Sequence, residues 1–248
     1  MSAVDPKNYI NVINIDQPIY RTYSAKRFVA LLKTGSDALV NPAMWEDPFE
    51  NFFLKSNVQV SATEVASLEN LASDWYGQCW TINEDTDALW RIYSHDQTGV
   101  KVRSTIRKLF DNLVGGGGQF ERLQYYVGTV AYHDLSEIEA LMRKITFSDI
   151  SFGGSNDKFA QLLCVKRKAF SHEAEVRLLF NDVAPKKGSD GVYLYPLDAN
   201  AIFDEVVLDP RLDASGFADL KSDILTAGCS LTITQSDLYR APRFTIPI

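Results

Sequence analysis

The stretch His172-Glu173-Ala174-Glu175-Val176-Arg177-Leu178-Leu179-Phe180 constrains the fold more than any other part of the chain. Charged and apolar residues alternate in it, and alternate side chains of a β-strand point to opposite faces. Read as a strand from His172 on, it places Glu173, Glu175 and Arg177 on one face. Ala174, Val176 and Leu178 form the other face, which packs on a core. Such a strand needs partners at both edges, and the rest of the chain supplies candidates. Residues 19–23, 58–60, 77–82, 99–104, 125–132, 192–195, 202–208 and 231–236 read as short strands. Helical patterns lie between them. Residues 25–32 follow a Ser24 cap and stop at Gly35. Residues 64–75, 105–114, 136–144, 158–165 and 215–227 are further helices, and one more carries Leu89, Trp90 and Tyr93. The interleaving predicts an α+β fold: one domain over residues 1–248, with a mixed, mainly antiparallel sheet flanked by helices.

A doubly wound nucleotide fold needs a strand–GxGxxG–helix unit, and the chain has none. Gly115 to Gly118 read as a loop tip, because Gln119-Phe120-Glu121 follows them where a phosphate cradle needs a helix start and a Lys. At 248 residues, with 25 basic and 32 acidic side chains and a formal charge of −7, the chain is an ordinary globular one. The acidic balance argues against a large nucleic-acid footprint. Lys166-Arg167-Lys168, with Lys101, Arg103 and Arg107, still provides local positive charge. Three well-separated cysteines make neither a disulfide framework nor a metal knuckle, so a cytoplasmic setting is expected. No stretch has the length of apolar sequence that a membrane span needs.

Three places can carry chemistry. Two carboxylates at i and i+2 on one strand face lie roughly 7 Å apart. Held in a cleft they repel, so one ionisation shifts upward, and Arg177 opposes that shift. Glu175 and Glu173 are therefore the candidate catalytic pair; a solvated strand face is the alternative. Trp80 and Thr81 on one strand, with Trp90 and Tyr93 at helical spacing, can wall a pocket for a flat ring or simply fill the core. Tyr20-Arg21 offers a planar fork for a phosphate, or else an ion pair with Asp47 or Glu50. No HExxH or GxSxG pattern occurs, and no resident metal site is read from the sequence.

In this order, Tyr20-Arg21, Asp47-Pro48-Phe49-Glu50, Cys79-Trp80-Thr81, Trp90-x-x-Tyr93 with Gly99, and Lys168 with Glu173-x-Glu175-x-Arg177 resemble a bacterial domain-of-unknown-function family, the one numbered twenty-nine seventy-one. The resemblance spans about residues 19 to 209. Thr81 after Trp80 departs from the Ser after Phe more usual in that family. More remotely, the order is similar to the Arg–Ser–Glu class of ADP-ribosyltransferases. That likeness implies a split mixed sheet and NAD as co-substrate. It also implies roles. Arg21, with Tyr20, would bind the dinucleotide, Thr81 would sit beside the nicotinamide ribose, and Trp80, Trp90 or Tyr93 would stack on nicotinamide. Glu175 would support the cationic sugar, and Glu173 would place or activate the acceptor. The implied protein is a toxin or phage-defence effector acting on a protein or nucleic-acid acceptor, with an antitoxin or chaperone as a further partner and no membrane. The alternatives are a non-catalytic nucleotide- or partner-binding module of the same fold, and a metal-dependent nuclease using Glu173, Glu175 and Asp47.

Overall fold

The computed structural model describes residues 6–45, 57–59, 65–67, 73–115, 122–144, 156–183 and 187–242. In chain order its regular elements are β1 (Tyr9–Ile10), β2 (Pro18–Tyr23), α1 (Ala25–Thr34), β3 (Ser36–Val40), β4 (Asn57–Gln59), β5 (Val65–Ser67), β6 (Trp75–Thr81) and α2 (Asp87–Tyr93). There follow β7 (Val100–Thr105), α3 (Ile106–Val114), β8 (Tyr125–Thr129), β9 (Ala131–His133), α4 (Leu135–Lys144), α5 (Asn156–Leu162), β10 (Val165–Arg167) and β11 (Glu175–Asn181). The last are β12 (Val192–Pro196), α6 (Ala199–Ile202), β13 (Glu205–Leu208), α7 (Ala214–Thr226) and β14 (Ile233–Gln235). The fold is α+β with a mixed, mainly antiparallel sheet and flanking helices, as expected.

The chain passes repeatedly between two compact units. The first holds residues 1–19, 36–82 and 105–197. Its sheet runs β1-β8-β11-β6, with β1 parallel to β8 and the other neighbours antiparallel. β3 joins β6 through Val40 and Gly77, and β12 pairs antiparallel with β3. A separate two-stranded parallel ribbon is made by β9 and β10. β11 is buried along its whole length, because both of its edges are paired and both of its faces are covered. One face meets α5, where Trp75 stacks on Phe159 at 4.9 Å over Leu163, Cys164 and Leu179. On the other face Phe180 packs against Tyr193 and Tyr125 at 4.3 and 4.7 Å. α3 forms because Thr105 caps it, accepting from the Lys108 amide, and because Ile106, Leu109, Phe110, Leu113 and Val114 share one buried stripe.

The second unit holds residues 20–35, 83–104 and 198–248. Here β2 neighbours β7, β7 pairs antiparallel with β13, and β13 pairs parallel with β14. α1 begins at Ser24, whose hydroxyl accepts from the Arg27 amide, and ends at Gly35 in the left-handed region. Phe28, Tyr23 and Phe203 cluster at 6.0–6.4 Å.

Several boundaries differ from expectation. The helix expected over 64–75 is not formed where the chain is described: Val65–Ser67 is a strand paired with β4, and β6 begins at Trp75. Residues 64 and 68–72 of that stretch lie outside the described residues. Residues 125–132 form two strands, β8 and β9. β11 begins at Glu175 rather than His172, because Lys168–Glu173 is a 3-10 turn and Ala174 is left-handed (φ 44°, ψ 54°).

Candidate active site

β11 and β6 build the site from their register. Glu175 lies opposite Thr81, and Arg177 lies opposite Cys79. Cross-strand partners share a face, so Glu175, Arg177, Thr81 and Cys79 project together. Gly77 belongs to the same face, and a Cβ there would meet Trp45 Cζ2 at 2.6 Å. The missing side chain thus admits Trp45, whose ring lies 4.5 Å from the Arg177 guanidinium carbon.

Glu173 does not reach this face as the next odd residue of a strand. The left-handed turn at Ala174 interrupts the alternation and brings the Glu173 carboxyl back beside that of Glu175. Two bonds hold the turn: the Thr81 hydroxyl donates to the Glu173 carbonyl at 2.6 Å, and the Ile82 amide donates to the Ala174 carbonyl at 3.0 Å. The expected 7 Å strand spacing therefore gives way to a shared centre. Lys166 Nζ lies 2.6 Å from Glu173 Oε2 and 3.1 Å from Glu175 Oε1. Arg177 Nε and Nη2 each lie 2.7 Å from Glu175 Oε2. Nη1 of the same guanidinium donates to the Leu163 carbonyl at 2.6 Å. The Glu175 amide donates to the Tyr132 hydroxyl at 2.8 Å.

All four charged groups are buried: Glu175 is 4% exposed and Arg177 0%. Burial alone disfavours every charge here, and the partners decide which survive. Burial pushes the Glu173 carboxyl up to about 8, and its hydrogen bond with Glu175 pushes the same way, against Lys166. Burial pushes Glu175 up too, but the Arg177 guanidinium, the hydrogen bond from Glu173 and the Lys166 ammonium outweigh it and hold that carboxyl down at about 2. The two ionisations belong to the pair. One proton stays on Glu173, and the negative charge stays on Glu175. Burial also raises the Tyr132 phenol above its ordinary value.

Of the residues singled out from the sequence, the first unit brings together Glu173, Glu175 and Thr81. Trp80 is not brought to the carboxyls. It occupies the opposite face of β6, is 2% exposed, and donates its indole N–H to Gln78 Oε1 at 2.7 Å. Gln78 in turn donates to Asp37 at 2.8 Å and to the Ala38 carbonyl at 3.0 Å. The indole thereby packs in the core, on the face of β6 away from the carboxyls.

In the second unit, Tyr20 and Trp90 are buried near Lys101, whose Nζ lies 5.7 Å and 5.6 Å from the two ring centroids. The Trp90 indole donates to Asp85. Tyr93 is 47% exposed, so it does not share Trp90's burial. The Arg21 guanidinium stacks on Tyr23 at 4.8 Å. Asp47 and Glu50, its expected ion-pair partners, lie outside the described residues, as does the glycine run after Gly115. Among the described residues no group of three or more His, Cys, Asp or Glu is placed to hold a metal ion. No helix among them is long and apolar enough to cross a membrane.

Sequence reasoning missed Lys166, Tyr132 and Trp45. In the sequence Lys166 reads as part of a local positive cluster with Arg167 and Lys168. The signal that separates it is strand period: on β10, Val165 and Arg167 point one way and Lys166 the other. Tyr132 and Trp45 carry no comparable signal.

No protein-family model matches the chain, and no curated protein does. The resemblance to the domain-of-unknown-function family therefore rests on motif order alone. Among solved structures the chain is similar to Thermus sp. 2.9 DarT in complex with NAD+, at 12% identity, covering 91% of this chain and 98% of that chain, with a TM-score of 0.40. It is also similar to the same protein in complex with carba-NAD+, at 12% identity, 90% and 96% coverage and a TM-score of 0.38. A third structure, with ADP-ribosylated ssDNA, has 11% identity, 92% and 97% coverage and a TM-score of 0.41.

Proposed function

We propose that the chain is an NAD-dependent ADP-ribosyltransferase, a toxin or defence effector that modifies a protein or nucleic-acid acceptor. The observation that carries the reading is the split carboxyl pair beside Thr81: one carboxylate fixed as an anion, its neighbour holding a proton up to about 8. Environments that push two carboxyls apart in this way supply an anion and a proton carrier from the same residue type. A carboxylate has about four acceptor positions, and Lys166, the two Arg177 nitrogens and Glu173 take them all, so a ribose hydroxyl reaches Glu175 by displacing one of these partners.

In the reaction, the bond between nicotinamide nitrogen and ribose C1′ breaks, and its electron pair leaves with nicotinamide. The sugar becomes cationic. The fixed negative charge of Glu175 supports it, preorganised in a site where little water screens it. A lone pair of the acceptor forms the new bond to C1′, and the acceptor's proton passes to ionised Glu173. Lys166 and Arg177 are positioning residues that keep Glu175 oriented and charged. Arg21, Tyr20, Trp90 and Tyr93 are proposed for dinucleotide binding on the strength of the sequence order; an Arg21→Ala variant with a raised KM for NAD and little change in kcat supports that assignment.

The closed network also favours a second reading. Both oxygens of Glu175 are already bonded, and only 4% of the residue is exposed. A buried ion cluster of this kind suits a non-catalytic module that binds a nucleotide or partner without turnover. Incubation with NAD and no divalent metal separates the two. The enzyme releases nicotinamide, whereas the module shifts its melting temperature with NAD and yields no product.

A further inference from the structure

The β9–β10 ribbon has a second face, and it borders a cavity of about 590 Å³ within the first unit. On this ribbon Ala131 pairs with Val165 and Tyr132 with Lys166. Tyr132 and Lys166 reach the carboxyl pair, whereas Ala131, His133 and Val165 line the cavity. The remaining apolar wall comes from Val130, Leu141 of α4 and Leu162 of α5. The floor is tied in place: the Val130 amide donates to the Glu175 carbonyl at 2.9 Å, and the Ala131 amide to the Cys164 carbonyl at 2.8 Å. The volume and the mostly apolar lining match those of small-molecule sites.

The polar lining is one-sided in charge. Lys144, in the last turn of α4, and Lys158 of α5 border the cavity together with His133. Among the described residues none of the lining side chains is a carboxylate; His133 Nδ1 lies 3.6 Å from Glu137 Oε2. Asn11, Thr129 and Gln161 add neutral hydrogen-bonding groups. An apolar chamber with two ammonium groups at its border is complementary to a molecule with an apolar body and one anionic head.

We propose that this cavity is a binding site for a small amphipathic anion, a carboxylate or phosphate ester on a medium-length apolar body. The proposal is independent of the reaction assigned to Glu175, since the cavity lies on the opposite face of the ribbon from the carboxyl pair. Calorimetric titration of the full chain tests it, with decanoate and decyl phosphate as anionic probes and decyltrimethylammonium as the cationic match. One or both anions should bind at a single site, and the cation should not. Reversing both charges, in a Lys144→Glu, Lys158→Glu variant, should weaken the anions by about tenfold or more; both side chains are exposed, so a thermal melt should show the fold intact. Leu141→Trp, which fills the chamber, should abolish binding. Equal binding of the cation, anion binding that ignores the charge reversals, or no binding of either anion at millimolar concentration would overturn the proposal.

Discussion

Glu173 and Glu175 are chemically identical side chains two positions apart, and their surroundings push their ionisations in opposite directions. This difference has a sign in stability as well as in catalysis. Glu173 holds its proton more tightly folded than unfolded, with its carboxyl raised from 4.5 to about 8. Its contribution to stability is therefore fully present below pH 4.5 and is lost as pH rises through about 8. Glu175 runs the other way: its contribution is present above pH 4.5 and lost as pH falls toward 2. Urea unfolding from pH 5 to pH 8 should show wild-type stability declining relative to Glu173→Gln, and parallel curves would refute the assignment. In catalysis Glu173 accepts a proton only when ionised, so kcat/KM should rise with pH through the same region and flatten in the Gln variant.

Arg177 is the other decisive residue. It is fully buried, and removing it leaves the Glu175 charge facing Lys166 alone. Arg177→Ala should cost about 3–5 kcal/mol by urea unfolding, because an uncompensated buried charge remains. Replacing both partners, Arg177→Met with Glu175→Leu, should restore most of that loss. A loss below about 1 kcal/mol for the single variant would place Arg177 outside the cluster's energetics.

At the scale of elements, the strand pattern over residues 172–180 was legible in part. Alternation correctly joined Glu175 to Arg177, since both lie on β11 with a regular register. It failed for Glu173, because a left-handed Ala174 leaves no mark on a pattern of residue types: Gly would have announced the turn, and Ala does not. The helix expected over 64–75 failed for another reason. Val65-Ala66-Ser67 is too short a segment for periodicity to arbitrate, and pairing with β4 decided it.

Gly128 shows how closely the elements around the site approach. It sits on β8, opposite Ile10 on one side and Arg177 on the other. An added Cβ would run into Cys164 Sγ and lie 3.1 Å from Ile10 Cβ. Its missing side chain lets residues 163–164 close over β11, where the Leu163 carbonyl accepts from Arg177. Gly128→Ala should destabilise by about 1–3 kcal/mol through overpacking, measured by thermal or urea unfolding. Adding Cys164→Ala should recover part of the loss. An unchanged midpoint in the single variant would show that the segment shifts freely.

At the scale of the molecule, the α+β class was readable because strand and helix patterns alternate along the chain. The two compact units were not. The chain crosses between them after residues 19, 35, 82, 104 and 197, so no composition shift accumulates at a boundary. Charge was similarly uninformative about the site. A formal −7 describes the whole chain, whereas Lys166 and Arg177 are buried cations grouped around two carboxyls, of which Glu175 holds the negative charge.

The central claim is that the fixed carboxylate of Glu175 carries glycosyl transfer. Its most direct test is label transfer from NAD, radiolabelled in the adenylate part, to a cell lysate and to purified RNA and single-stranded DNA, without divalent metal. The account predicts nicotinamide release and label in one acceptor class with wild-type protein. Glu175→Gln should lower the rate by about 10²–10³ with NAD affinity retained, the loss expected for one preorganised electrostatic group. Equal turnover in that variant, or no nicotinamide release from wild-type protein with any acceptor, would contradict it.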